Sequence, residues 1–141
     1  MVVRRRSRLV KTSSLLILTV ALLTSFGVCR ADTWQRADIY FIDWDVLTRV
    51  SLTPERVREL ADSKRTFRRD APDIARALAL DKLRPTKDNR REDARLVIDL
   101  FTDTGARITY YASRFNLCAA DSASKRPIDE KFRQRFTHLS K

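Results

Sequence analysis

Ile39-Tyr40-Phe41-Ile42-Asp43-Trp44-Asp45-Val46-Leu47-Thr48-Arg49-Val50-Ser51-Leu52 is the densest run of β-forming residues in the chain, and its reading decides the fold class. On the even positions Tyr40, Ile42, Trp44, Val46, Val50 and Leu52 share a face that only Thr48 interrupts, which is the period-2 alternation of a strand with a buried side. The odd positions begin apolar at Ile39 and Phe41, turn acidic at Asp43 and Asp45, and end at Arg49 and Ser51. The run predicts one long strand, covered on both faces in its first half and facing water or a partner in its second. It exceeds the usual strand length of about 5–6 residues, so a bend or break is expected near Asp43 to Asp45.

The sequence changes character after this run. Thr53-Pro54-Glu55 opens a helix, with Thr as N-cap and Pro at the first helical position. Val57, Leu60, Ala61 and Phe67 give it an apolar stripe. Its acids come early (Glu55, Glu59, Asp62) and its bases late (Lys64, Arg65, Arg68, Arg69), which suits the helix dipole. Asp70-Ala71-Pro72 breaks that helix and starts a second, carrying Ile74, Ala77, Leu78 and Leu83 before Pro85. Residues 84–93 read as a polar surface loop. A hairpin follows: strand 94–102, a turn at Asp103-Thr104-Gly105-Ala106, and a return over 107–117. Residues 119–127 read as another loop. Ile128, Phe132, Phe136 and Leu139 then form the single stripe of a last helix. The order β-α-α-β-β-α predicts an α+β fold, a small mainly antiparallel sheet of three to four strands with about three helices.

In the other direction, Asp32 to Ala37 reads as a short lead-in, and the first 31 residues as a targeting segment. Arg4, Arg5, Arg6, Arg8 and Lys11 precede an apolar run from Leu15 to Leu23, and Ala31 offers a small residue before a cut. This is the pattern of a secretory signal peptide cleaved after Ala31. The uncharged stretch 12–29 also admits an uncleaved membrane anchor. Either way a single domain over residues 32–141 is expected to be exported, periplasmic or secreted. Residues 1–31 hold six basic residues and no acidic one, so they lower the formal charge from +11 to +5 for the rest. That modest charge predicts no specific binding of nucleic acid. Cys118 is the only cysteine beyond the signal, and its neighbours Phe115, Leu117 and Ala119 favour a buried thiol over an intermolecular disulfide.

The chemical inventory is thin. Residues 32–141 hold one histidine, His138, and one glycine, Gly105. A glycine-rich phosphate loop, a paired-cysteine metal site and a zinc-protease histidine pair are absent from the sequence, and no cofactor is expected. The strongest polar pair is Asp43 and Asp45, on one strand face about 6–7 Å apart at Cα. Such a pair can hold a divalent metal or act as acid and base. Over these few residues the apolar run ending in Asp-Trp-Asp resembles the haloacid-dehalogenase phosphatases. The threonine of that motif falls one place late, at Thr48, and the later lysine and acidic motifs are missing, so the resemblance assigns no activity. The expectation is a non-enzymatic, inhibitor- or immunity-like protein that binds a protein partner or envelope component through Asp43 and Asp45. The alternative is a small metal-dependent hydrolase using the same two carboxylates.

Overall fold

The computed structural model describes residues 34–140 except 70 and 89. The signal or anchor segment read over residues 1–31 lies outside them. The elements are β1 (Trp34–Phe41), α1 (Pro54–Leu60), β2 (Ser63–Arg68), α2 (Pro72–Leu78), a 3-10 turn (Leu80–Lys82), β3 (Arg84–Pro85), β4 (Leu96–Thr102), β5 (Arg107–Ala112), β6 (Asn116–Ala119), β7 (Ser124–Pro127) and α3 (Glu130–Ser140). All strands join one antiparallel sheet in the order β2-β1-β4-β5-β6-β7-β3. The α+β class stands, and among the described residues there are three α-helices, but the sheet has seven strands there, not three to four.

Local chemistry explains the extra strands. The long strand expected over 39–52 begins instead at Trp34 and stops at Phe41, because the Asp43 carboxylate accepts the backbone N–H of Asp45 and folds the chain into a turn. The helix that opens at Thr53 is real at its start, where the Thr53 hydroxyl accepts the Arg56 N–H. It ends at Leu60, and the basic segment Ser63–Arg68 becomes an edge strand paired with β1. Pairing with β1 overrides the helical pattern there, and Phe67 packs in a different apolar cluster from Val57 and Ala61. The expected return strand over 107–117 splits in two at Ser113, whose hydroxyl accepts the N–H groups of Phe115 and Asn116. Part of each expected loop, 84–93 and 119–127, pairs as β3 with β7.

The sheet is covered unequally. On one face Ala37, Ile39 and Phe41 of β1, Leu96, Ile98 and Leu100 of β4, and Leu117 of β6 pack against Ile74, Ala77 and Leu78 of α2 and Phe132 and Phe136 of α3. The other face carries a smaller cluster of Ile42, Leu52, Val57, Ala94 and Val97 under α1. Beyond it this face is polar. Asp99 is buried in a bidentate pair with Arg58 of α1, and Asp38 accepts the Thr66 hydroxyl.

α2 ends on Ala79 with φ 42° and ψ 55°, a left-handed conformation that disfavours a side chain with Cβ. Ala79→Gly should therefore raise stability by about 0.5–1 kcal/mol, the relief of strain being partly offset by a freer unfolded chain. Urea midpoints compare the two proteins, and a lower midpoint for the glycine variant contradicts the reading.

Candidate interaction site

The Asp-Trp-Asp segment lies on a turn rather than a strand, so the shared strand face expected for Asp43 and Asp45 is replaced by a different arrangement. The Val46 N–H donates to the Asp43 carbonyl at 3.2 Å, closing the turn beside the 2.9 Å bond from the Asp45 N–H to Asp43 Oδ1. Both carboxylates are exposed, whereas Trp44 between them is buried. The Trp44 indole packs edge-on to Phe41, with ring centroids 5.3 Å apart, and Nε1 donates to Thr137 Oγ1 of α3 at 3.1 Å. The tryptophan is thus the pin that holds the turn against α3.

Asp43 and Asp45 line a cleft of about 370 Å³ with Arg114, Glu130, Arg133 and His138. Glu130 is already ion-paired to Arg133. Among the described residues no three His, Cys, Asp or Glu side chains stand close enough to hold a metal ion. His138 sits exposed in the last turn of α3.

Past the turn the chain runs in the open to Leu52, and here lies what the alternation obscured. Val46 and Val50, assigned by period to the buried face with Ile42, Trp44 and Leu52, are 41 % and 71 % exposed, and Leu47 is 86 % exposed. The segment is tied at several points. Arg95 Nη2 donates to Thr48 Oγ1 at 3.2 Å, the Leu52 N–H to Asp93 Oδ1 at 2.7 Å, and the Ala94 N–H to the Leu52 carbonyl at 2.9 Å. Arg95 is itself buried, and its Nε and Nη1 find no partner among the described residues. Arg95 is also ion-paired to Asp93, so one buried side chain joins the groups that hold Thr48 and Leu52. No family model, curated protein or solved structure matches this chain.

A second cleft, of about 360 Å³, lies on the face that carries α1 and is lined in part by Tyr111, Cys118, Glu92, Asp88 and Lys125. Its polar groups satisfy one another. Lys125 Nζ lies 3.1 Å from Asp88 and 3.4 Å from Glu92, and Glu92 also accepts from Asn116 and Ser113. The neighbouring Arg90 side chain and backbone, with Lys125, hold the Asp88 carboxyl below its usual range. Burial, then the Glu92 charge, pushes the Cys118 thiol up to about 11, and burial pushes Tyr111 up to about 12. Cys118 is thus a buried neutral thiol and no nucleophile at neutral pH.

A thiol pKa higher in the folded than in the unfolded chain stabilises the fold below the unfolded value of about 8.5, and that contribution is lost as pH rises toward about 11. Stability should fall with pH across this window, with a shallower slope in Cys118→Ala. Denaturant titrations between pH 8 and 11 measure it, and equal slopes in the two proteins would contradict a raised thiol pKa.

Proposed function

We propose that residues 32–141 act as a small exported, non-enzymatic interaction protein that docks a protein partner through the segment between β1 and α1. The single observation that carries this reading is the exposure of Val46, Leu47 and Val50 within five residues, on a segment anchored at Trp44, Thr48 and Leu52. Scattered apolar side chains on a surface are ordinary, whereas a held cluster of large ones loses water on docking and concentrates binding energy. Asp43 and Asp45 stand at one end of the cluster and match a partner with a basic rim, which favours rapid and oriented association.

A photoreactive residue at position 47, introduced into the protein in its exporting cell, should crosslink to one discrete protein. The same residue at position 107, on the face that carries α1, should not. Asp43→Asn with Asp45→Asn should leave folding unchanged, since an asparagine side-chain oxygen at position 43 can still accept the N–H that closes the turn. It should weaken the partner about three- to tenfold at low salt and less at high salt. Partner affinity measured against salt for both proteins checks this, and undiminished affinity in the double variant removes the carboxylates from the interface.

Asp43, Asp45, Glu130 and His138 line one cleft, but among the described residues no three such side chains stand close enough to hold a metal ion, so a small metal-dependent hydrolase is the weaker, second reading. Turnover of ester or phosphoester substrates with added magnesium or manganese, abolished by the same double variant, would replace the first reading with this one.

A further inference from the structure

A different side of α3 borders a groove of about 430 Å³ between the end of α2, β7 and the first turns of α3. Five cations from three separate segments line it: Arg76 and Lys82, Arg126, and Lys131 and Arg135. Asp129 is the sole carboxylate in the lining, and its Oδ1 is already engaged by the Phe132 N–H at the start of α3. Lys82, Lys131 and Arg135 make no ion pair with any described residue, and Arg76 only approaches Asp73 at 4.0 Å with both side chains exposed. Arg126 lies deeper. Its donors go to the carbonyls of Ala77, Leu78 and Pro127, and its guanidinium stands 5.2 Å from the centre of the Phe132 ring. Those carbonyls satisfy its hydrogen bonds, but no carboxylate among the described residues pairs with it directly. The lining therefore sums to a formal charge of four positive units, of which Asp81 near Arg126 and Asp73 beside Arg76 offset a part.

We propose that this groove binds a ligand carrying two or more clustered phosphate groups. Arg76 and Arg135 present guanidinium groups whose planar donors match phosphate oxygens in pairs, Arg126 adds its charge while its donors are held by carbonyls, and the two lysines add mobile point charges at the rim. Two phosphate monoesters bring about three to four negative charges into a small volume, more than a short acidic peptide segment brings in the same space, and clustered phosphodiester headgroups bring about one each. A free polyphosphate and the headgroups of an anionic membrane share this chemistry. The proposal is independent of the docking segment and stands or falls separately.

The test is calorimetric titration of the purified protein with inorganic tripolyphosphate, and co-sedimentation with phosphatidylglycerol vesicles. Lys131→Glu with Arg135→Glu, both on the exposed side of α3, should weaken binding at least about tenfold while far-ultraviolet dichroism stays native. Lys87→Glu with Arg107→Glu changes the net charge equally, away from the groove, and should weaken it less than about twofold. Binding of tripolyphosphate identifies a soluble source and binding of vesicles alone a lipid one, and either supports the site. Binding of neither, equal loss in both double variants, or equally tight binding of polyglutamate overturns it; the last result would assign the groove to acidic polypeptides instead.

Discussion

Asp99→Ala should lower stability by about 3–5 kcal/mol, the expected cost of removing one member of a buried ion pair. Asp99 is 2 % exposed at the centre of β4, on the face covered by α1. Its carboxylate receives Arg58 Nε at 2.9 Å, Arg58 Nη2 at 2.7 Å and the Thr109 hydroxyl at 2.7 Å. Without it the Arg58 guanidinium, itself mostly buried, keeps only a 3.1 Å bond to Thr109 and a distant, exposed Glu55. The same pair holds the short helix α1 to the sheet, so amide exchange in Pro54–Leu60 should accelerate more than in β4 or β5. Replacing both partners, as Asp99→Leu with Arg58→Met, should recover most of the loss, because an apolar pair asks for no compensation. Urea unfolding at pH 7 measures all three proteins. A cost below about 1 kcal/mol for the single variant would mean that water or another group reaches Arg58 and that the pair is not what fixes α1.

Trp44→Ala should cost a similar amount, about 3–5 kcal/mol, for a different reason. The indole fills the space between Phe41 and α3 and has hydrogen-bond acceptors in Thr137 Oγ1 at 3.1 Å and the Arg133 carbonyl at 3.3 Å. Truncation leaves a cavity beside Phe41 and releases the turn at Asp43. Trp44→Phe separates the two contributions. It retains most of the packing and removes the N–H, and the Thr137 hydroxyl already donates to the Arg133 carbonyl, so the loss should be only about 1–2 kcal/mol. Dichroism-monitored unfolding gives the values. If the alanine variant is as stable as the phenylalanine one, the side chain is not a core element. The alanine variant should also bind the partner worse even where it is fully folded, because the docking segment loses its anchor.

The parts of the fold that could be read from the sequence are those where local chemistry and tertiary packing agree. Thr53-Pro54, the hairpin around Gly105 (φ 80°) and the stripe of Phe132 and Phe136 all lie where their patterns place them. The misread parts share a cause. Lys64, Arg65 and Arg68 follow a helix without a glycine or proline to stop it, and only the β1 edge makes Ser63–Arg68 a strand. The turn at Ser113 contains neither glycine nor proline; a serine hydroxyl does their work, a weaker signal in sequence. For the candidate site, Asp43 and Asp45 stood out as charge within an apolar run. The bend expected at Asp43 to Asp45 is present as a turn, but Val46, Val50 and Leu52 continue the period of a strand beyond it. Periodicity cannot distinguish an apolar residue that is buried from one held out for a partner, and so Leu47 and its neighbours went unmarked.

The order of the sheet also constrains how the chain comes together over time. β4 to β7 form a meander of consecutive neighbours, which requires only short loops to close, but β1 lies inside the sheet between β2 and β4, and its β4 partners run from Leu96 to Thr102. A chain that leaves a ribosome or translocon amino end first therefore exposes Ile39 and Phe41 well before the strand that covers them exists. The hairpin of β1 and β2 is too small to hide them alone. Its outer strand carries Lys64, Arg65 and Arg68, charges that discourage neighbouring chains from adding to that edge during the wait. The same arginines and lysine that would suit the end of a helix become instead a safeguard against aggregation during the interval before the sheet closes.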